Sequence, residues 1–120
     1  MLIKKNLIFF EKFKRKDILQ RHKNSHEILE KYPDRIPVII DTTSTIDIYN
    51  NKYIVPKDLT LSQFIYTLRK RIEIEPHQAI FILIDNKLMN VNKKLIDIYE
   101  QYRDADGFLY VVFSLENTFG

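Results

Sequence analysis

Six consecutive apolar residues, Ala79 to Ile84 (AIFILI), stand between polar neighbours near the middle of the chain. The run is too short for an ordinary buried helix and suits a strand covered on both faces. Such a strand commits the chain to a sheet with other elements packed on it. The rest of the sequence can be read for what they are.

Upstream, Thr60 to Ile72 carries the clearest helix. Thr60 and Gln63 match a capping box, in which each side chain satisfies an orphan amide at the helix start. Leu59 and Phe64 sit as a hydrophobic staple. Leu61, Phe64, Ile65, Leu68 and Ile72 form one apolar stripe, leaving Arg69, Lys70 and Arg71 mostly to solvent. Arg35 to Ile40 and Lys52 to Val55 are short, β-branched and apolar, and read as two strands joined by the polar loop Thr42 to Asn51. Pro37 places its position toward a sheet edge, a bulge or a strand start, because proline donates no ladder bond.

Asp17 to Tyr32 reads as a helix with Ile18, His22, Ser25 and Leu29 on one stripe, ended by Pro33. Asn92 is expected to cap a shorter helix with Leu95, Ile98, Tyr99 and Tyr102 in register. Asp106-Gly107 is a turn, and Phe108 to Phe113 (FLYVVF) the last strand. A strand pair, a crossover helix and two more strands make an α+β plan. With the crossover helix across one face of a four-stranded mixed sheet, that plan is a β-grasp. The expected divisions are a basic and apolar arm at 1–16, a helical region at 17–33, the β-grasp core at 34–115 and a tail at 116–120.

Composition excludes several classes. With 120 residues, 45% of them hydrophobic, the chain suits one domain, and 29% charged residues with 12% aromatics do not suggest disorder. It has no cysteine, which removes disulfides, thiolate metal sites and a thiol nucleophile, and fits a cytosolic protein. The net charge of +3 does not choose among nucleic acid, acidic peptide and anionic lipid. No apolar run approaches the ~20 residues that span a bilayer. The stretch Met1 to Lys16 has an apolar patch of only Leu7 to Phe10, short for a signal peptide. It reads as an arm that packs on the domain or frays.

Catalytic and metal chemistry find little footing. His22 and His26 have the spacing of a helical metal pair but no third ligand nearby. Gly107 stands alone, so there is no phosphate loop, and Asp104 with Asp106 makes a turn and not a calcium loop. Arg69 to Arg71 lacks the interleaved aromatics of single-strand binding. No catalytic residue, metal, cofactor or nucleic acid is expected, and the chain reads as a monomer in solution.

Six blocks in order carry a more specific message: KYPDRIPVII (Lys31 to Ile40), KYIVPKDLTLSQF (Lys52 to Phe64), LRKRI (Leu68 to Ile72), AIFILI, DGFLYVVFS (Asp106 to Ser114) and ENTFG (Glu116 to Gly120). Together they resemble the autophagy ubiquitin-like modifiers, over Tyr32 to Gly120 and more weakly back to Ile18. Departures are a shorter loop at Asp41 to Lys52, an unaligned longer N-terminus, and Asn24, Asn50 and Thr67 where the family carries an acidic, a basic and an aliphatic residue. The resemblance implies a ubiquitin-like β-grasp preceded by N-terminal helices, and a tag, not an enzyme.

It also implies how the tag is used. A terminal glycine alone is equally an accident of where a chain stops, yet it suits narrow enzyme channels because it has no side chain. By resemblance, Gly120 is adenylated by an activating enzyme, passed through cysteines of that enzyme and a conjugating enzyme, and joined to phosphatidylethanolamine. Phe119 would be the aromatic read beside the bond cut in precursor processing, with no further cut needed here. The chain would be cytoplasmic, and on autophagosomes or related membranes once lipidated.

Receptors carrying a short aromatic-x-x-aliphatic motif would add as a strand along Lys52 to Val55. Ile28, Pro37, Ile39, Lys52, Ile54 and Phe108 would line the aromatic pocket. Tyr53, Val55, Pro56, Leu59, Phe64 and Leu68 would line the aliphatic one. Arg35, Lys52 and Arg71 would meet acidic residues flanking the motif. The alternative is a peptide-binding β-grasp adaptor that is never conjugated.

Overall fold

The computed structural model describes residues 7–43, 48–72 and 74–115. Gly120, Phe119 and the start of the N-terminal arm lie outside them. Along the chain come α1 (Ile8–Lys14), α2 (Ile18–Lys31), β1 (Arg35–Thr42), β2 (Lys52–Pro56), α3 (Leu61–Arg71), β3 (Ile80–Ile84), β4 (Lys87–Leu88), α4 (Leu95–Tyr102) and β5 (Leu109–Leu115). The sheet order is β2-β1-β5-β3-β4, with β1 and β5 parallel and the other neighbours antiparallel.

The sheet is therefore five-stranded among the described residues, and not four-stranded as expected. The extra strand is only Lys87–Leu88, too short and polar to show period-2 alternation. It forms because Asp85 and Asn86 take φ of 54° and 63°, the left-handed pair that closes a two-residue hairpin.

Alternation divides the sheet residues between two faces. Ile36, Val38, Ile40, Val55, Ile82, Ile84, Leu109, Val111 and Phe113 pack with Leu61, Phe64 and Leu68 of α3 and Leu95 and Ile98 of α4. On the other face Ile39 and Phe108 are sealed by Phe13 of α1, with Phe9, Phe10, Ile28 and Tyr110 beside them. The capping box of α3 forms as the sequence predicts, Thr60 Oγ1 accepting from the Gln63 amide and Gln63 Oε1 from the Thr60 amide. Arg69 is half-buried and donates to the Gln78 carbonyl at 2.6 Å, so it is less open to solvent than its place off the apolar stripe suggested.

Two further readings are corrected, and the described part of the N-terminal arm packs on the domain, one of the two outcomes expected of it. The N-cap of α4 is Lys94, not Asn92. The first amides of that helix bond to the Leu59 and Lys57 carbonyls, which makes a side-chain cap unnecessary. Part of the N-terminal arm is the helix α1, held because the Asp41 carboxylate of β1 accepts from the Phe10 amide at 3.1 Å. In α2 the buried residues are Arg21 and Ser25, while Ile18 and His22 are exposed. A polar contact sets that rotation: Arg21 Nη1 donates to Asp106 at 2.7 Å, and Ser25 Oγ donates to the Asp106 carbonyl at 2.6 Å.

Pro37 sits near the start of β1, paired with β2 alone, as a residue without an amide hydrogen requires. It faces Ile54 across a non-hydrogen-bonded pair, one residue before the pairing with β5 begins at Val38–Leu109, so no ladder bond is lost.

Candidate peptide-docking site

Among the described residues, β2 is the last strand on its side of the sheet. The Ile40 amide donates to the Asn51 carbonyl, and the Lys57 amide to the Asp34 carbonyl, fixing which pairs bond across β1 and β2. In an antiparallel ladder bonded pairs alternate. With Ile39 opposite Lys52 and Pro37 opposite Ile54, the amides and carbonyls of Lys52 and Ile54 therefore point away from β1.

Side chains close the two ends of this open edge. The Lys52 amide donates to Asn50 Oδ1 at 3.1 Å, and Arg35 Nη1 donates to the Ile54 carbonyl at 3.3 Å. Between those caps the Lys52 carbonyl and the Ile54 amide face outward. That is one acceptor and one donor, the set a single residue of an added strand satisfies.

A pocket of about 450 Å3 opens beside the edge on the α2 side, lined by Asn24, Glu27, Ile28, Lys31, Tyr32, Val38, Lys52, Tyr53, Ile54 and Phe108. Of the residues expected around an aromatic anchor, it brings together Ile28, Lys52, Ile54 and Phe108. Pro37 and Ile39 lie behind it, Ile39 fully buried under Phe13. Sequence reasoning did not pick out Asn24, Glu27, Lys31, Tyr32 and Val38 for this pocket, and it placed Tyr53, which also borders it, with the aliphatic one. Asn24, Glu27, Ile28 and Lys31 share one side of α2 by helical spacing, and Tyr32 follows at its end, which was the available signal.

On the α3 side, Tyr53 meets Phe64 edge to face, with ring centroids 6.0 Å apart. Val55, Phe64 and Leu68 are buried core, Tyr53 and Leu59 are half-buried, and Pro56 is exposed. The residues expected around an aliphatic anchor are thus neighbours of β2, with Tyr53, Pro56 and Leu59 supplying the accessible surface.

Three cations surround the strand. Arg35 is on its edge, Arg71 lies 5.9 Å from the centre of the Tyr53 ring, and Lys52 Nζ lies 5.0 Å from the centre of the Phe13 ring. Among the described residues none of the three has a carboxylate partner. Burial, reinforced by the charge of Lys16, holds the Lys52 ammonium below its ordinary pKa. Lys16, which sequence reading left in the arm, adds a fourth positive group there.

No group of three or more metal-ligating side chains occurs among the described residues. His22 and His26 stack at 6.3 Å on the exposed side of α2, and His26 Nε2 meets Glu30 at 2.9 Å. No helix there is long and apolar enough to cross a membrane.

A mixed sheet with its first and last strands parallel at the centre, a helix crossing one face and two helices ahead of it define a ubiquitin-like β-grasp protein. The comparisons name the family. Residues 20–120 match the family model described as autophagy protein Atg8, ubiquitin-like. The chain is 49% identical over 104 residues to autophagy-related protein 8 of Schizosaccharomyces pombe, covering 84% of this chain and 86% of that one. It is 46% identical over 107 residues to autophagy-related protein 8e of Arabidopsis thaliana, covering 87% and 88%. A crystal structure of Trypanosoma brucei ATG8 superposes with a TM-score of 0.80 at 35% identity, covering 83% of this chain and 89% of that one. The chain belongs to the Atg8 family of autophagy ubiquitin-like proteins.

Proposed function

We propose that this chain is a ubiquitin-like modifier joined through Gly120 to phosphatidylethanolamine, and that its β2 edge then recruits receptors with aromatic-x-x-aliphatic motifs to the membrane. The observation that carries the docking half is the outward-facing pair of the Lys52 carbonyl and the Ile54 amide, with a pocket of about 450 Å3 on one side and the Tyr53–Leu59 surface on the other. Successive residues of an added strand point to opposite faces, so two anchors three residues apart in one motif enter different pockets. The aromatic takes the pocket lined by Ile28, Lys52, Ile54 and Phe108, and the aliphatic side chain the surface beside Tyr53. Arg35, Lys52 and Arg71 favour acidic flanking residues, raising the rate and selectivity of encounter more than the affinity.

Family membership and the terminal sequence ENTFG support the conjugation half. The Gly120 carboxylate is adenylated at the expense of ATP, becomes a thioester on the activating and then the conjugating enzyme, and forms an amide with the lipid amine. The catalytic cysteines belong to those enzymes, and this chain acts as a tag. Two acyl chains on one headgroup hold it at a membrane far better than one. In the cell it divides between cytoplasm and the autophagosomal membrane.

Reconstitution with Atg8-family activating and conjugating enzymes, ATP and phosphatidylethanolamine liposomes tests this reading. Transfer to liposomes by the full chain, lost when Gly120 is deleted, is the expected result. Binding of an acid-flanked Trp-x-x-Leu peptide without any lipidation, by enzymes that modify a control family member, would leave an unconjugated adaptor instead.

A further inference from the structure

Phe13 is 2% exposed and does not line the docking pocket, yet it touches two of the residues that do. Its ring meets that of Phe108 edge to face at 5.3 Å, and Lys52 Nζ sits 5.0 Å from its centroid. The Lys52 side chain thus has the pocket on one side and the Phe13 ring on the other. A flexible lysine at a pocket wall ordinarily samples many rotamers, and this ring face gives the ammonium one place to rest.

We propose that Phe13 is a positioning residue for the aromatic pocket: it fixes Lys52 from behind, so that α1 docking and motif docking strengthen each other without α1 touching the motif. The inference rests on the docking reading above. α1 is suited to such coupling because seven residues do not make a stable helix alone. It stays in place through Phe10 donating to Asp41 at 3.1 Å, a partly exposed Lys14–Asp104 pair at 3.4 Å, and ring contacts such as Phe10–Tyr110 at 5.1 Å. Lys16 Nζ also approaches the Phe13 ring, at 5.2 Å, so two like charges share one ring and Lys52 gains a place there against repulsion. Taking the ring away frees Lys52 to leave the wall. Coupling of this kind is reciprocal: what α1 does for the motif, the motif does for α1.

The test uses the full chain, its Phe13→Leu variant, and both again with Lys52→Met. NMR shifts of the Lys52 side-chain methylenes report, without any peptide, whether the Phe13 ring holds the lysine. Calorimetry measures affinity for an acid-flanked Trp-x-x-Leu peptide, and amide exchange over residues 8–14 is followed with and without it. The ring-current shift should be present in the wild-type chain and lost in F13L. Peptide affinity should fall about threefold to fivefold in F13L, the range of a partly buried cation–π contact, and should fall no further when F13L is added to K52M. Peptide should slow exchange in α1 of the unmutated chain, a readout that does not depend on F13L folding. Unchanged affinity in F13L, an equal loss in the K52M background, or α1 exchange that peptide leaves unchanged or speeds would each overturn the proposal. A wild-type chain that binds no peptide sinks the docking reading, and the Lys52 shift, read without peptide, then decides whether Phe13 holds the lysine.

Discussion

Arg21 of α2 donates to the carboxylate of Asp106, across 85 residues of sequence, at 2.7 Å. Asp106 is fully buried, and the same carboxylate also accepts from the Tyr110 hydroxyl at 2.5 Å and the Phe108 amide at 2.9 Å. The cluster ties α2 to the turn that feeds β5, and so sets where Ile28 and Phe108 meet at the pocket beside β2. A buried carboxylate stripped of its cation is costly, because nothing then offsets its desolvation. Arg21→Met should therefore destabilise the chain by roughly 3–5 kcal/mol, read from urea unfolding. A loss below about 1 kcal/mol would mean that the pair behaves as a surface bridge.

Three phenols respond to alkali in the same sense. Burial raises Tyr53 and Tyr99, partly offset by Arg71 and Arg103 respectively. Burial, then the hydrogen bond to and charge of Asp106, push Tyr110 far above the usual range. A raised folded-state pKa adds stability that is complete below the unfolded value, about 10, and is lost as pH climbs toward the folded one. The unfolding midpoint should decline above about pH 10, and Tyr110→Phe should flatten that decline. An identical alkaline slope in wild type and Y110F would exclude Tyr110 as a source.

Gly107 holds φ of +87°, and a β-carbon there would come within 2.3 Å of Ser25 Oγ. Both backbone strain and collision oppose a side chain, and the hydroxyl cannot retreat without giving up its bond to the Asp106 carbonyl. Gly107→Ala should cost roughly 2–4 kcal/mol by thermal or urea unfolding. A neutral outcome would show that the turn re-forms in another conformation.

What the sequence made legible, and what it did not, follows from the range of the forces. The capping box at Thr60 and Gln63 and the stripe through Phe64 and Leu68 are local, and both stand in the fold as read. The run at Ala79 to Ile84 became an inner strand for the same reason, since its character does not depend on partners. The stripe of α2 was misread because an arginine looks like a solvent residue until Asp106 arrives from the other end of the chain. Lys87–Leu88 was missed because two residues carry no periodicity, though the Asp85-Asn86 pair was a turn signal in plain view. At the site, the family resemblance gathered Ile28, Lys52, Ile54 and Phe108, whereas the role of Phe13 required knowing that α1 folds back over Ile39. Asn50 was noted only as a departure, and in the fold it caps the Lys52 amide.

The open edge of β2 makes a position-specific prediction. Proline removes one amide hydrogen, and its effect depends on where that hydrogen points. At Ile54 the amide faces away from β1 and toward the open edge, while at Val55 it faces Ile36 inside the ladder. Ile54→Pro should keep the fold within about 2 kcal/mol of wild type while lowering affinity for an acid-flanked Trp-x-x-Leu peptide by about tenfold, the worth of one buried hydrogen bond. Val55→Pro should instead destabilise the chain by about 3 kcal/mol or more. Paired urea unfolding and calorimetry separate the two variants. Equal peptide affinity in wild type and I54P would mean that the motif does not add to β2 as a strand, and that whatever enters the pocket is held by side chains alone.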